Sequence, residues 1–172
     1  MRELVDAERV QRFMHAAGQA ADTDGVCYFT GGATAVLLGW RASTVDLDLK
    51  LEPEQDAVMR ALPAIKDELS VNVELASPAE FIPLPPGWED RSPFVAREGR
   101  LTFRHFDLYS QALGKLERGH ARDLEDVDAM MERGLVEPAR LREMFDEIRP
   151  RLYRFPAIDE RRFVAAVERA TR

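Results

Sequence analysis

Period-two alternation of apolar residues is confined to the part of the chain before Asp107, and from there on the apolar residues recur at spacings of three and four. A strand points successive side chains to opposite faces, whereas a helix brings positions three and four apart onto one face. The change of period therefore asks for a sheet built early and a helical half built late. The clearest alternation is Thr44 to Leu51, where Val45, Leu47, Leu49 and Leu51 alternate with Asp46, Asp48 and Lys50. Val26 to Thr30 and Val71 to Leu75 are shorter strand candidates, and Phe94 to Glu98 with Leu101 to Phe106 reads as a hairpin around Gly99. Helical spacing covers Ala7 to Ala21, with Asp6 as N-cap, and Gln55 to Leu69, where Pro63 is expected to kink or split the helix. Gly31-Gly32 leads into a short buried helix that Gly39 ends. Pro78 to Pro93 is proline-rich and reads as a long loop, a wall or lid over a site. Helical segments follow from Leu108, Asp123, Pro138 and Asp159. The expected class is α+β: a small mixed sheet in residues 1–106, followed by a helical segment, 107–172, packed on it as one compact unit.

The chain has 172 residues, enough for one domain with a real core. Its formal net charge of −7 argues against a broad electrostatic footprint for nucleic acid, though a local basic patch is still compatible with binding it. The single cysteine, Cys27, lies in the apolar run VCYF and reads as a buried small hydrophobe. The charged start of the chain contains no apolar signal-peptide core, and no apolar run approaches the ~20 residues that span a bilayer. A cytoplasmic location without membrane contact is the expectation.

The chemistry concentrates between Tyr28 and Lys50. On a strand, Asp46 and Asp48 share a face, with Cα atoms roughly 6 to 7 Å apart. Two carboxylates that close repel each other unless a cation sits between them. Magnesium suits such a pair, because it takes one or two protein carboxylates and completes its shell with phosphate oxygens and water. The alternative is a strand with a wet face, in which Lys50 softens the repulsion. Gly31 and Gly32 allow a ligand close to the backbone, and the helix behind them offers N–H groups to an anion, with the Thr34 hydroxyl nearby. The alternative there is a plain tight turn. Lys115, Arg118 and Arg122 fall at spacings of three and four, a basic face if one helix ran through them; Asp123 is expected to cap the next helix, with Asp126 at its third position and paired to Arg122. Helix capping and surface ion pairs are the other reading of this cluster. His105, in LTFRHF, alternates on a strand and is a candidate to face a cleft.

Taken together, Thr30-Gly31-Gly32 and Asp46-Leu47-Asp48 resemble the signature of the nucleotidyltransferase superfamily, the polymerase-β-like fold: an apolar stretch, a glycine pair, a spacer, then Asp-x-Asp. The resemblance implies a nucleotidyltransferase-like core in which Asp46 and Asp48 hold Mg²⁺ or Mn²⁺. It points to Glu74, one helix further on, as the third carboxylate, both catalytic and metal-binding. Gly31, Gly32 and Thr34 would cradle the phosphates of ATP or another nucleoside triphosphate, and Lys115, Arg118 and Arg122 would neutralise them. The segment around Lys115 is similar to the helical part of small bacterial nucleotidyltransferases of abortive-infection and toxin–antitoxin systems. The implied activity is transfer of a nucleoside monophosphate to a hydroxyl, an RNA end before a protein or a small molecule, with a cognate partner protein. The alternative from another class is a catalytically inactive binding module or antitoxin-like subunit of the same fold.

Overall fold

The structure, a computed structural model, describes residues 3–172. It divides into two compact units. The first comprises the described residues up to Ser77 together with Ser92–Phe106, and the second comprises Pro78–Arg91 with Asp107–Arg172.

The first unit is a five-stranded mixed sheet with helices. In chain order it contains α1 (Ala7–Ala20), β1 (Gly25–Thr30), α2 (Gly31–Leu38), β2 (Asp46–Glu52), α3 (Asp56–Leu69), β3 (Asn72–Leu75), β4 (Phe94–Glu98) and β5 (Leu101–His105). The spatial order is β3-β2-β1-β5-β4. β1 pairs antiparallel with β2 and parallel with β5, β2 pairs parallel with β3, and β4–β5 is the antiparallel hairpin. The α+β class with a small mixed sheet and a helical second half agrees with the order of elements expected from the sequence.

Alternation decides which face is dry. Cys27 and Phe29 of β1, Leu47, Leu49 and Leu51 of β2, and Leu101 and Phe103 of β5 form one core with Val10, Phe13, Met14 and Ala17 of α1 and Val58, Leu62 and Ile65 of α3. Phe29 stacks on Phe103 at 5.6 Å between centroids. Tyr28, Thr30, Asp46, Asp48 and Lys50 therefore belong to the other face. Cys27 is 1% exposed, and burial pushes its thiol well above the usual range, which fits the small-hydrophobe reading.

α1 is N-capped by Asp6, whose carboxylate accepts the Arg9 N–H at 2.9 Å. α3 corrects one expectation: it runs unbroken through Pro63. Proline costs about 3 kcal/mol inside a helix. Here Val58, Leu62 and Ile65 bury one face on both sides of Pro63, and the proline itself sits on the exposed side. Packing overrides the local penalty.

In the second unit, α4 (Leu108–Arg118), α5 (Ala121–Glu132), α6 (Pro138–Ile148) and α7 (Glu160–Ala170) enclose Leu113, Leu116, Val127, Met130, Leu141, Phe145 and Phe163. Phe145 meets Phe163 edge-on at 4.8 Å. A 3₁₀ segment that alternation does not foretell, Arg149–Arg154, joins α6 to the last connection. The proline-rich stretch opens with a 3₁₀ turn at Pro78–Glu80 and buries Ile82 completely. Near its end Arg91 grips Asp107 through Nε (3.2 Å) and Nη2 (2.9 Å), while Asp107 caps α4 through the N–H groups of Tyr109 and Ser110. A bidentate Arg–carboxylate pair of this kind fixes orientation as well as charge. No helix among the described residues is long and apolar enough to cross a membrane.

Candidate phosphate and metal site

β1 ends at Thr30, which lies opposite Asp48 in the antiparallel register. The chain then turns into α2 through Gly31, whose φ is +59°. A side chain rarely adopts that conformation, and here a Cβ on Gly31 would also press on Asp48, standing 3.1 Å from its Oδ2. The glycine turn and the second aspartate are therefore in direct apposition, with backbone facing carboxylate.

Gly32 is required for a different reason. A Cβ there would stand 2.6 Å from Thr44 Cβ, closer than two carbon atoms pack. Thr44 in turn donates its hydroxyl to the Asp46 carbonyl at 3.1 Å, and its backbone exchanges two hydrogen bonds with Val5 (2.7 and 2.9 Å). Thr44 thus locks the start of β2 against the start of α2. Nothing in its sequence context marks it, because its role depends on which segment folds over Gly32.

Asp46 and Asp48 are half-buried on one face of β2. The parallel neighbour β3 brings Asn72 beside Asp46 and Glu74 beside Asp48. The Asn72 amide donates to Asp46 Oδ1 at 2.7 Å. Glu74 is exposed. Lys50 lies two residues beyond Asp48 on the same face, with its ammonium 3.7 Å from Glu52. Among the described residues, no group of three or more His, Cys, Asp or Glu side chains is gathered as a ready metal cage. Asp46 and Asp48, two carboxylates on one strand face beside the Gly31 turn, are of the kind that can hold a magnesium-sized ion, which completes its shell with phosphate oxygens and water.

Thr34 lies elsewhere than its motif position implies. It is fully buried, and its hydroxyl lies 3.3 Å from the Phe29 carbonyl and 2.9 Å from His105 Nδ1. When that hydroxyl donates to Phe29, Nδ1 carries the ring proton and donates to Oγ1. His105 is also buried rather than turned to a cleft, and desolvation lowers its pKa from 6.5 to about 4, so the ring is neutral near pH 7. This pair braces the back of the glycine turn from inside the first unit.

In the second unit, Gly119 ends α4 in a left-handed conformation, so Lys115, Arg118 and Arg122 do not share one helix. Lys115, 7% exposed, donates to Asp126 Oδ2 at 2.8 Å and lies 3.7 Å from Asp123. Arg118 holds Asp123 through Nε at 2.8 Å, and Arg122 is exposed. The N-cap of α5 is His120, not Asp123. Asp123 occupies the third helical position and accepts the His120 N–H at 3.3 Å, and Asp126 takes Lys115. Burial works to raise the Asp123 carboxyl, but the hydrogen bond and charge of Arg118, the charge of Lys115 and the His120 N–H together hold it below its usual value.

Residues 8–169 match a family model described as "Nucleotidyltransferase of unknown function (DUF6036)". No curated protein and no solved structure matches the chain.

Proposed function

The chain belongs to this nucleotidyltransferase family, and from that premise we propose that it is a metal-dependent enzyme moving a nucleoside monophosphate from a triphosphate such as ATP to a hydroxyl acceptor. One observation carries the proposal: the Gly31 turn closes on Asp48, so the glycine pair and the aspartate pair are one local structure. Asp46 and Asp48 would hold Mg²⁺ or Mn²⁺. When bound, the ion supplies neutralisation of charge on the phosphate oxygens. Gly31 would let the phosphates approach the backbone beside Asp48, with the positive end of α2 behind them, while Gly32 is buried against Thr44 and shapes the turn from inside. Thr34 and His105 act from the core side, by holding the turn's shape.

In the proposed reaction the acceptor oxygen forms a bond to the α-phosphorus. The bond from that phosphorus to the bridging oxygen breaks, and pyrophosphate leaves with the electron pair. The acceptor proton passes to a carboxylate, for which Glu74, in register with Asp48, is the candidate. An RNA end is the favoured acceptor and a protein or small molecule the alternative. The likeness of the Lys115 segment to toxin-system enzymes supports a role beside a cognate partner protein. The contacts of Lys115 and Arg118 with Asp126 and Asp123 account for those cations without a phosphate.

Titration calorimetry with Mg-NTP on the wild type and Asp46→Asn/Asp48→Asn tests the metal assignment. The double variant is expected to lose at least tenfold in affinity, and equal binding by both proteins would sink it. The exposed position of Glu74 favours a second reading, a nucleotide-binding module without catalysis. Labelled NTP incubated with protein, Mn²⁺ and cellular RNA separates the two. Transfer that disappears in Glu74→Gln supports the enzyme, whereas binding without transfer to any acceptor supports the module.

A further inference from the structure

Asp46 and Asp48 are chemically identical and share one face of β2, yet their neighbours on β3 differ. Beside Asp48 the parallel register places a carboxylate, Glu74, and beside Asp46 it places an amide, Asn72. The amide is engaged: its Nδ2 donates to Asp46 Oδ1 at 2.7 Å, across two half-buried side chains. The parallel register of β2 and β3 brings the two side chains together. A shift of one residue would turn Asn72 to the apolar face with Leu47 and Leu49.

We infer that Asn72 is a positioning residue for the metal site: it fixes the Asp46 carboxylate in one rotamer before any ion arrives. The inference rests on the metal reading of Asp46 and Asp48. An aspartate on a half-open strand face samples several χ1 and χ2 wells. A donor on the adjacent strand selects one of them and leaves the charge in place, since an amide, unlike a lysine, does not neutralise the carboxylate. It also spends one acceptor position of Oδ1, so the metal-facing geometry is set by an uncharged neighbour. A carboxylate at position 72 would do the opposite, adding repulsion and removing the donor. Asn72 therefore serves the site without touching the reacting atoms. In metal sites such outer partners typically govern affinity by about 10–100-fold.

The experiment measures Mn²⁺ binding by electron paramagnetic resonance, with no nucleotide present, on wild type, Asn72→Ala, Asn72→Gln and Asp48→Asn. Melting temperatures confirm that each variant is folded. Asn72→Ala is expected to weaken Mn²⁺ binding about tenfold. Asn72→Gln, which keeps an amide donor, should recover part of that loss. In the steady state, Asn72→Ala should show the defect mainly in the Mn²⁺ concentration needed for half-maximal rate, with kcat at saturating metal reduced less. Unchanged Mn²⁺ affinity in Asn72→Ala, with Asp48→Asn impaired, overturns the role of Asn72 and leaves the metal site standing. A glutamine variant as weak as alanine overturns it too. Wild type that binds no Mn²⁺, or binds it no better than Asp48→Asn, overturns the metal reading itself.

Discussion

At the scale of single residues, the site is governed by what is missing from two positions. Gly31 must accommodate a positive φ and the Asp48 carboxylate, and Gly32 must accommodate Thr44. Gly32→Ala forces its new methyl group into the Thr44 side chain, and overpacking of this kind costs about 1–3 kcal/mol. The predicted loss is measurable as a lower urea midpoint, and Gly32→Ala/Thr44→Gly should recover part of it. A Gly32→Ala protein as stable as wild type would mean that the approach is looser than the structure has it. The glycines are visible in the sequence because glycine between a strand and a helix has few uses. Thr44 and Asn72 are not visible, since neither lies in a recognisable pattern and each acquires its role from a segment remote along the chain. Thr34 shows the converse: its place next to the glycine pair suggests a phosphate contact, and the winding of α2 carries its hydroxyl inward to Phe29 and His105.

At the scale of elements, the α4–α5 junction turns on one break. Gly119 ends α4, and the chain restarts at Ala121, so acidic residues of α5 return to basic residues of α4. Spacing alone cannot foresee this, because the i, i+3 and i, i+4 rule applies only while one helix continues. Removing one partner of a buried ion pair costs about 3–5 kcal/mol, since the other charge stays buried. Lys115→Met is therefore predicted to unfold at clearly lower urea concentration, and Lys115→Met/Asp126→Leu to regain much of the loss. If Lys115→Met keeps its stability and instead loses affinity for Mg-NTP in calorimetry, the ammonium serves a ligand. α3 teaches a related lesson. A proline penalty is local, whereas the burial of Val58, Leu62 and Ile65 is tertiary and larger.

For the whole molecule, acid sensitivity has identifiable sources. His105 has its pKa lowered to about 4 in the fold against an ordinary 6.5, so the unfolded chain takes up the proton first. Its contribution to stability is complete above about pH 6.5, declines as the pH falls toward about 4, and does not change further below that. Asp123 carries a depressed pKa, so its contribution is present above its ordinary value of 3.8 and is lost only at lower pH. Urea unfolding between pH 7.5 and 4 should show wild type losing more stability on acidification than His105→Gln. Parallel curves would remove His105 as the cause. The class of fold, the dry and wet sides of β2 and the two glycines follow from the sequence by itself, because strand alternation, helical spacing and glycine's backbone freedom are local properties of the chain. The strand order β3-β2-β1-β5-β4, the register that sets Asn72 beside Asp46, the inward turn of Thr34 and the pairing of Lys115 with Asp126 were decided only by tertiary structure. Each depends on contacts between segments far apart along the chain, and burial and hydrogen bonding select those contacts only when the whole core forms.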